Sequence, residues 1–110
     1  MTGHQVVEYI DRNGNSPYAK WFQSLDAAAA AKVTVAVLRM TQGNLSNVKW
    51  FSGIGEYKID FGPGYRIYLS RDGERLIILL GGGSKKMQQK DIESACEIWV
   101  EYKTRKRTKL

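Results

Sequence analysis

Cationic side chains and a tyrosine fall at two-residue spacing in two neighbouring segments of the chain. Lys58 and Asp60 alternate with apolar residues in the first segment. Arg66 and Tyr68 do the same in the second, after a tight-turn signal at Gly62-Pro-Gly64. Because alternate residues of a strand lie on one face, we expect these four side chains to be close neighbours on one face of a hairpin.

These residue types suit the phosphodiester of RNA. Cleavage needs no metal in principle, because the ribose 2′-hydroxyl can attack the adjacent phosphorus once a base takes its proton. A lysine among other cations can exchange a proton, and an arginine offers a fixed fork to phosphate oxygens. Lys58 is therefore a candidate acid or base, and Arg66, Lys85 and Lys86 are candidate charge stabilisers. Tyr68 is a candidate platform for stacking an unpaired base.

The same residues fit a simpler interpretation. A lysine, an aspartate and an arginine on adjacent strands are also typical of a solvated, salt-bridged sheet face. Tyr68 can equally be a packing residue, and Cys96 an inert thiol near the apolar stripe of the last helix. The segment Gly81-Gly-Gly-Ser-Lys85 lacks the spacing of a nucleotide-binding P-loop. The pattern alone leaves the two interpretations of the polar face open.

Positive charge is unevenly distributed over the 110 residues, a length that fits one domain. Residues 103–110 hold five of the seventeen cations, and without them the net charge falls from +6 to +1. We interpret them as a basic tail after a domain at 1–102. The basic excess within 49–90 indicates a polyanionic partner, either nucleic acid or an acidic protein segment. For an RNA partner it adds three contact candidates, Lys49, Arg71 and Lys90.

Several classes of protein and site are disfavoured by composition. The single cysteine, Cys96, excludes an intrachain disulfide and a multi-cysteine zinc site, and the single histidine is His4. We therefore expect neither a metal nor a cofactor. No apolar run approaches the ~20 residues that span a bilayer, and the first residues do not resemble a secretory signal. These features predict a cytoplasmic protein without membrane contact.

Hydrophobic periodicity predicts a small α+β domain. Ser16-Pro17 and Asp26 are helix-start signals, and Leu76–Leu80, apolar on both faces, is typical of an inner strand. The predicted strands are 5–10, 48–51, 56–61, 65–70 and 76–80, and the predicted helices are 17–25, 27–42 and 87–102. This order gives an N-terminal strand and a helical hairpin, then an antiparallel meander and a C-terminal helix. We expect the meander to pack its apolar face on the helices and to leave a polar face open.

Two segments carry a family likeness. They are Gly55-Glu-Tyr-Lys-Ile-Asp-Phe-Gly-Pro-Gly-Tyr-Arg-Ile-Tyr68 and Leu76-Ile-Ile-Leu-Leu-Gly-Gly-Gly-Ser-Lys-Lys-Met-Gln-Gln-Lys-Asp-Ile92. The chain resembles the RelE/HigB toxins of bacterial type II toxin–antitoxin modules, in particular the phage Gp49-like, addiction module killer branch. The resemblance implies a RelE-like fold that cleaves messenger RNA at the ribosome. It also implies a cognate antitoxin, often a helix-turn-helix protein. Lys58 and Arg66 match basic strand residues of the family, and Lys85 or Lys86 matches one after the last strand.

Two departures from RelE concern the chemistry. Asp60 stands where RelE has a second strand lysine, so it is a candidate proton acceptor or a partner of Lys58. The start of the last helix lacks the tyrosine that RelE has there. The superfamily also contains ParE-like toxins, which inhibit DNA gyrase by binding it without cleaving RNA. The retained cations at Lys58, Arg66, Lys85 and Lys86 favour RNA cleavage over gyrase inhibition.

Overall fold

A computed structural model describes residues 3–108, apart from the side chain of Thr108. The elements in chain order are β1 (Gln5–Glu8), α1 (Pro17–Gln23), α2 (Ala27–Thr41), β2 (Val48–Phe51), β3 (Ile54–Ile59), β4 (Tyr65–Asp72), β5 (Leu76–Ser84) and α3 (Gln88–Thr108). A short 3-10 turn, Lys85–Met87, joins β5 to α3. None of the helices in this part of the chain is long and apolar enough to cross a membrane.

Helix starts follow the predicted capping signals. The Ser16 hydroxyl accepts a hydrogen bond from the Ala19 N–H at 3.0 Å, and Pro17 takes the first helical position of α1. The Asp26 carboxylate accepts from the Ala29 N–H at 2.8 Å at the start of α2. Each cap satisfies a backbone donor that the helix itself leaves free. The predicted helical hairpin is confirmed, since α2 begins four residues after the last residue of α1.

The sheet has the strand order β1-β5-β4-β3-β2. The meander from β2 to β5 is antiparallel, as predicted, whereas β1 lies parallel to β5 and makes the sheet mixed. The predicted small α+β class and the inner position of Leu76–Leu80 are confirmed. The β4–β5 ladder shifts register between Tyr68 and Leu69.

Helices cover both faces of the sheet. On one face, α1 and α2 pack on residues such as Ile67 and Leu79. On the other, α3 packs through Ala95 and Trp99 on Tyr68, Ile78 and Leu80. The expectation of an open polar face is therefore wrong. The apolar stripe of α3 needs a surface to bury it, and the alternate residues of β5 supply one.

Adjacent glycines of β5 admit the two helical layers. A Cβ on Gly82 would lie 2.3 Å from a ring carbon of Trp21, which belongs to α1. A Cβ on Gly83 would lie 1.9 Å from Oδ2 of Asp91, which belongs to α3. Successive strand residues face opposite sides, so the glycine pair lets one bulky side chain approach the backbone from each face.

The helix α3 continues beyond Tyr102, where the sequence pattern predicted its end, to Thr108. The Lys106 ammonium donates to both carboxylate oxygens of Asp72 at 2.6 and 2.7 Å, and the Arg105 guanidinium donates to the Ile10 carbonyl at 2.7 Å. Lys103 lies 5.3 Å from the Trp99 ring centroid. The interpretation of 103–110 as a separate basic tail is therefore wrong for 103–108, while 109–110 lie outside the described residues.

We expect Gly82→Ala to destabilise the fold by about 2–3 kcal/mol, because the new methyl group would overlap the Trp21 ring in a packed layer. Gly81→Ala is the matched control, since no atom of the described residues, apart from its two chain neighbours, lies within 4 Å of a Cβ there. Urea unfolding of both variants measures the difference. Equal loss of stability in the two variants would show that the Trp21 contact does not decide it.

The Asp72 carboxylate on β4 accepts hydrogen bonds from Tyr102 and Lys106 on α3. The contribution of these contacts to folding stability depends on pH. Hydrogen bonds from Lys106 and Tyr102 lower the pKa of its carboxyl below the usual aspartate value. The stabilisation is complete above the ordinary aspartate pKa and is lost as the pH falls through the lowered one. We expect Asp72→Asn to cost about 1 kcal/mol at pH 7, a value kept small because Lys106 is largely exposed.

The cost of Asp72→Asn should shrink as the pH falls below about 4, where the wild-type carboxyl also takes a proton. Urea unfolding across this pH range measures it. Asp60→Asn is the matched control, because exposed Asp60 makes no ion pair within residues 3–108. A cost that stays constant from pH 7 to pH 3 would contradict the assignment.

Candidate functional site

Three strands align one row of positions at the end of the sheet. Lys58 on β3 is the cross-strand partner of Arg66 on β4, and Arg66 is in turn opposite Gly83 on β5. Cross-strand partners share a face of the sheet. The row therefore lies on the face that α3 covers, at the start of that helix. Lys58 is exposed at this end, whereas Arg66 is only 5% exposed.

The β3–β4 turn brings Lys85 to the same place. The Lys85 N–H donates to the Gly64 carbonyl at 2.9 Å. A Cβ on Gly64 would lie 3.7 Å from Nη1 of Arg66 and 3.8 Å from Cβ of Lys85, so the two cationic residues approach the same glycine. Gly64 has φ +79°, a left-handed conformation that glycine adopts without strain. We call the exposed lysines at this end, Lys58, Lys85 and Lys86, the cationic rim.

Beneath the cationic rim lies a buried polar cluster, which we call the Glu56 cluster. Its members are Glu56, Arg66, Tyr68 and Gln88. One oxygen of the Glu56 carboxylate, Oε2, accepts from the Gln88 side-chain amide at 2.9 Å and from the Tyr68 hydroxyl at 3.2 Å. The same oxygen lies 3.6 Å from Nε of Arg66. Strands β3 and β4 and the first residue of α3 thus meet at a single carboxylate.

Tyr68 does not offer a surface for stacking a base. Its side chain is only 1% exposed, because α3 covers the ring. Burial raises the pKa of the Tyr68 hydroxyl well above its usual value, and the neighbouring Glu56 carboxylate raises it further. The hydroxyl therefore stays protonated at neutral pH and donates to Glu56. The prediction of a stacking role for Tyr68 is wrong in this fold, and its packing interpretation is correct.

The other predicted residues divide between this end of the sheet and elsewhere. Lys86 and Lys90 are exposed in the 3-10 turn and the first turn of α3. Lys49 is exposed on the edge strand β2, opposite Glu56. Arg71 lies at the far end of β4, where its guanidinium donates to the Glu74 carbonyl at 2.8 Å. Arg71 is therefore separated from the cationic rim by most of a strand, roughly 17 Å at the usual rise per residue.

Asp60 lies just beyond the end of β3 and is exposed. Within residues 3–108 it forms no ion pair with Lys58. Both residues border a groove of about 250 Å³ between α2 and β3, together with Lys32, Arg39 and Asn47. Arg66, by contrast, has an ion-pair partner in Glu56, a residue that the sequence did not identify as a site residue.

Three polar residues of the site, Glu56, Gln88 and Asp91, were missed by sequence reasoning. Glu56 alternates with Lys58, so the pattern of this strand placed Glu56 on the correct face but gave no sign of its burial. Gln88 and Asp91 are three residues apart on α3, a spacing that places both on one helical face. Asp91 packs against Gly83, and burial raises the pKa of its carboxyl while Lys90 partly offsets the rise.

The chemical capacity of the site follows from this layering. Exposed ammonium groups can bind an anion from solvent, and a guanidinium beneath them adds positive charge where solvent screening is weak. Glu56 holds that guanidinium from the protein side. Within residues 3–108 no three histidine, cysteine, aspartate or glutamate side chains are grouped so that they could hold a metal. The arrangement fits recognition of a phosphate group.

The fold and this site define a small α+β domain with a cationic sheet end above a buried carboxylate–arginine pair. No known protein-family profile matches the chain. It is 40% identical over 80 residues to a protein of Haemophilus influenzae strain Rd described as "Uncharacterized protein". The match covers 71% of this chain and 81% of that relative. The chain belongs to the same family as the Haemophilus influenzae protein.

We expect Arg66→Ala to cost about 3 kcal/mol of folding stability, since it leaves the Glu56 carboxylate buried without its cation. Lys58→Ala, which removes the exposed cation directly opposite, should change stability by less than about 0.5 kcal/mol. Thermal and urea unfolding measure both. An unchanged free energy of unfolding in Arg66→Ala would show that the buried Glu56–Arg66 pair makes no net contribution to stability.

Proposed function

We propose that this protein is the toxin of a bacterial type II toxin–antitoxin module, an endoribonuclease of the RelE/HigB type that cleaves messenger RNA at the ribosome. The observation that carries the proposal is the convergence of Lys58, Arg66 and Lys85 at one end of the sheet. The family resemblance of the segments that hold these residues supports it. The proposed partners are the ribosome and its message, and a cognate antitoxin of helix-turn-helix type in the same cytoplasm.

The proposed reaction breaks one phosphodiester bond without a metal or cofactor. The ribose 2′-oxygen attacks phosphorus as its proton passes to a base, and the bond to the 5′-oxygen breaks as that oxygen gains a proton. The products are a 2′,3′-cyclic phosphate and a 5′-hydroxyl, so atoms and charge balance. Lys58, exposed on the cationic rim, is the proposed acid or base of these proton transfers. Lys85 and Lys86 contact the phosphate, and Arg66 adds charge from beneath.

Arg66 is buried, so a substitution there does not report on cleavage alone. Because the Arg66 side chain is only 6% exposed and is paired with Glu56, its substitution alters folding as well as charge. Lys58 is exposed and opposite Arg66, so its substitution reports on chemistry with little effect on the fold. Lys58 is therefore the better residue for testing cleavage.

We expect brief expression of the wild-type protein without an antitoxin to arrest protein synthesis and to create new transcript 5′ ends within translated regions. Lys58→Ala should lower the cleavage rate by about 100-fold, the usual lower range for loss of an acid–base group. Lys20→Ala, which removes an exposed lysine of α1, is the matched control and should cleave normally. Sequencing of 5′ ends and labelled amino-acid incorporation measure these outcomes.

Two results would contradict the proposal. Wild-type cleavage by a folded Lys58→Ala protein would remove Lys58 from the reaction. Continued protein synthesis with accumulation of gyrase complexes on DNA would replace RNA cleavage with gyrase inhibition of the ParE type.

A further inference from the structure

Glu56 occupies a position that the proposed reaction does not use directly. Its carboxylate lies on β3 beneath α3, with 10% of the side chain exposed. Oε2 alone accepts hydrogen bonds from Tyr68 on β4 and from Gln88 on α3, and it also lies nearest to Arg66. Three elements therefore fix the position of one negatively charged atom.

The position of the Arg66 guanidinium depends mainly on its attraction to Glu56 Oε2, because its own hydrogen bonds are few and long. Its Nε is buried and has no hydrogen-bond partner within residues 3–108, since Glu56 lies at 3.6 Å. Its Nη1 makes a long bond of 3.5 Å to the Gly64 carbonyl. Among the described residues, Glu56 is the one carboxylate within ion-pair distance of Arg66. In a poorly solvated setting this attraction decides where the guanidinium lies.

A guanidinium on a long flexible side chain loses catalytic value when its position varies. Charge stabilisation of a phosphate in the transition state needs donors held in place before reaction, and a displacement of about 1 Å can cost 100-fold in rate. Tyr68 and Gln88 prevent Glu56 from turning away, because both of its hydrogen bonds would be lost. Gln88 also makes this restraint depend on the docking of α3.

We propose that Glu56 is a positioning residue, which holds the Arg66 guanidinium beneath the cationic rim and is itself held by Tyr68 and Gln88. Its effect on RNA cleavage rests on the proposed function, whereas its effect on Arg66 does not. Glu56 contacts no substrate in this assignment. It acts through Arg66.

The first measurement needs no enzymatic activity. The ¹⁵N relaxation of the Arg66 Nε–H group, assigned by its absence in Arg66→Lys, reports the mobility of the guanidinium. Glu56→Gln keeps the size of the side chain and removes its charge, and the Arg66 signal should become markedly more mobile. Gln88→Ala keeps both charges and should give a smaller increase. Glu97→Gln, which removes the charge of an exposed glutamate on α3, is the matched control and should leave Arg66 unchanged.

The second measurement uses cleavage of ribosome-bound message. We expect Glu56→Gln to lower kcat by about 10–100-fold with KM within about twofold, because the transition state loses an oriented donor. Gln88→Ala should lower kcat by about 3–10-fold, in keeping with the smaller displacement of Arg66. A purely structural role would reduce the amount of folded protein and leave kcat per folded molecule unchanged.

The outcomes separate the two proposals. An Arg66 signal that stays rigid in Glu56→Gln, or that loosens equally in Glu97→Gln, overturns the positioning role whatever the enzyme does. If Glu56→Gln does not fold, Gln88→Ala decides, and a rigid Arg66 there has the same meaning. If Arg66 loosens while the wild-type protein cleaves no RNA, positioning stands and the proposed function fails.

Discussion

Coverage of both sheet faces by helices is the constraint on which the rest of the structure depends. Once α3 lies on the sheet, every polar side chain beneath it must find its partner inside the protein, because an unpaired buried charge is costly. Glu56 and Arg66 meet this condition through each other, and Tyr68 and Gln88 complete it. Exposed lysines border this face at the end of the sheet, where Lys58 and Lys85 lie, and on the edge strand β2, where Lys49 lies.

The same constraint changes the meaning of the basic character of the chain. Three cations near the end of α3 have contacts within the domain: Lys106 with Asp72, Lys103 with Trp99, and Arg105 with the Ile10 carbonyl. They fasten the helix to the strand β4 and to its own aromatic residues. Within residues 3–108, the lysines of the cationic rim form no ion pair that joins two elements of the fold. The basic residues thus include cations that contact other residues of the domain at one end, Lys103 and Lys106, and the lysines of the cationic rim at the other.

Local patterns predicted most of the fold. Period-two alternation around Lys58 and Arg66 predicted both strands to within two residues at each end and the shared face of these two side chains, since strand geometry is set by neighbours in sequence. The caps at Ser16 and Asp26 were equally local. The strand β5 runs on through Gly81–Ser84, which the pattern did not predict because glycine usually weakens a strand. Only the approach of Trp21 from α1 explains why glycine is required at position 82.

The candidate site was predicted less completely, for a reason that is not local. The sequence identified the polar face but contains no direct signal for the layer that covers it. The strand segment Leu76–Leu80 is apolar on both sides, which indicates that helices or loops cover both faces of the sheet there. The same inference, extended to the neighbouring strands, would have predicted that Tyr68 and Glu56 are buried. The hydrogen bond between Gln88 and Glu56 joins residues of different elements, so no periodicity in either one predicts it.

The parallel pairing of β1 with β5 has a consequence for the order in which the chain folds. Gln5 pairs with Leu76, so the first strand of the described chain to be synthesised forms its ladder of hydrogen bonds with the last one. Bringing such distant segments together has a high entropic cost, which slows folding relative to a chain of local contacts. The helical hairpin and the β2–β4 strands can form earlier, as neighbours in sequence. Closure by β1 is therefore a late step, and the nascent domain exposes an unpaired strand until β5 has been synthesised.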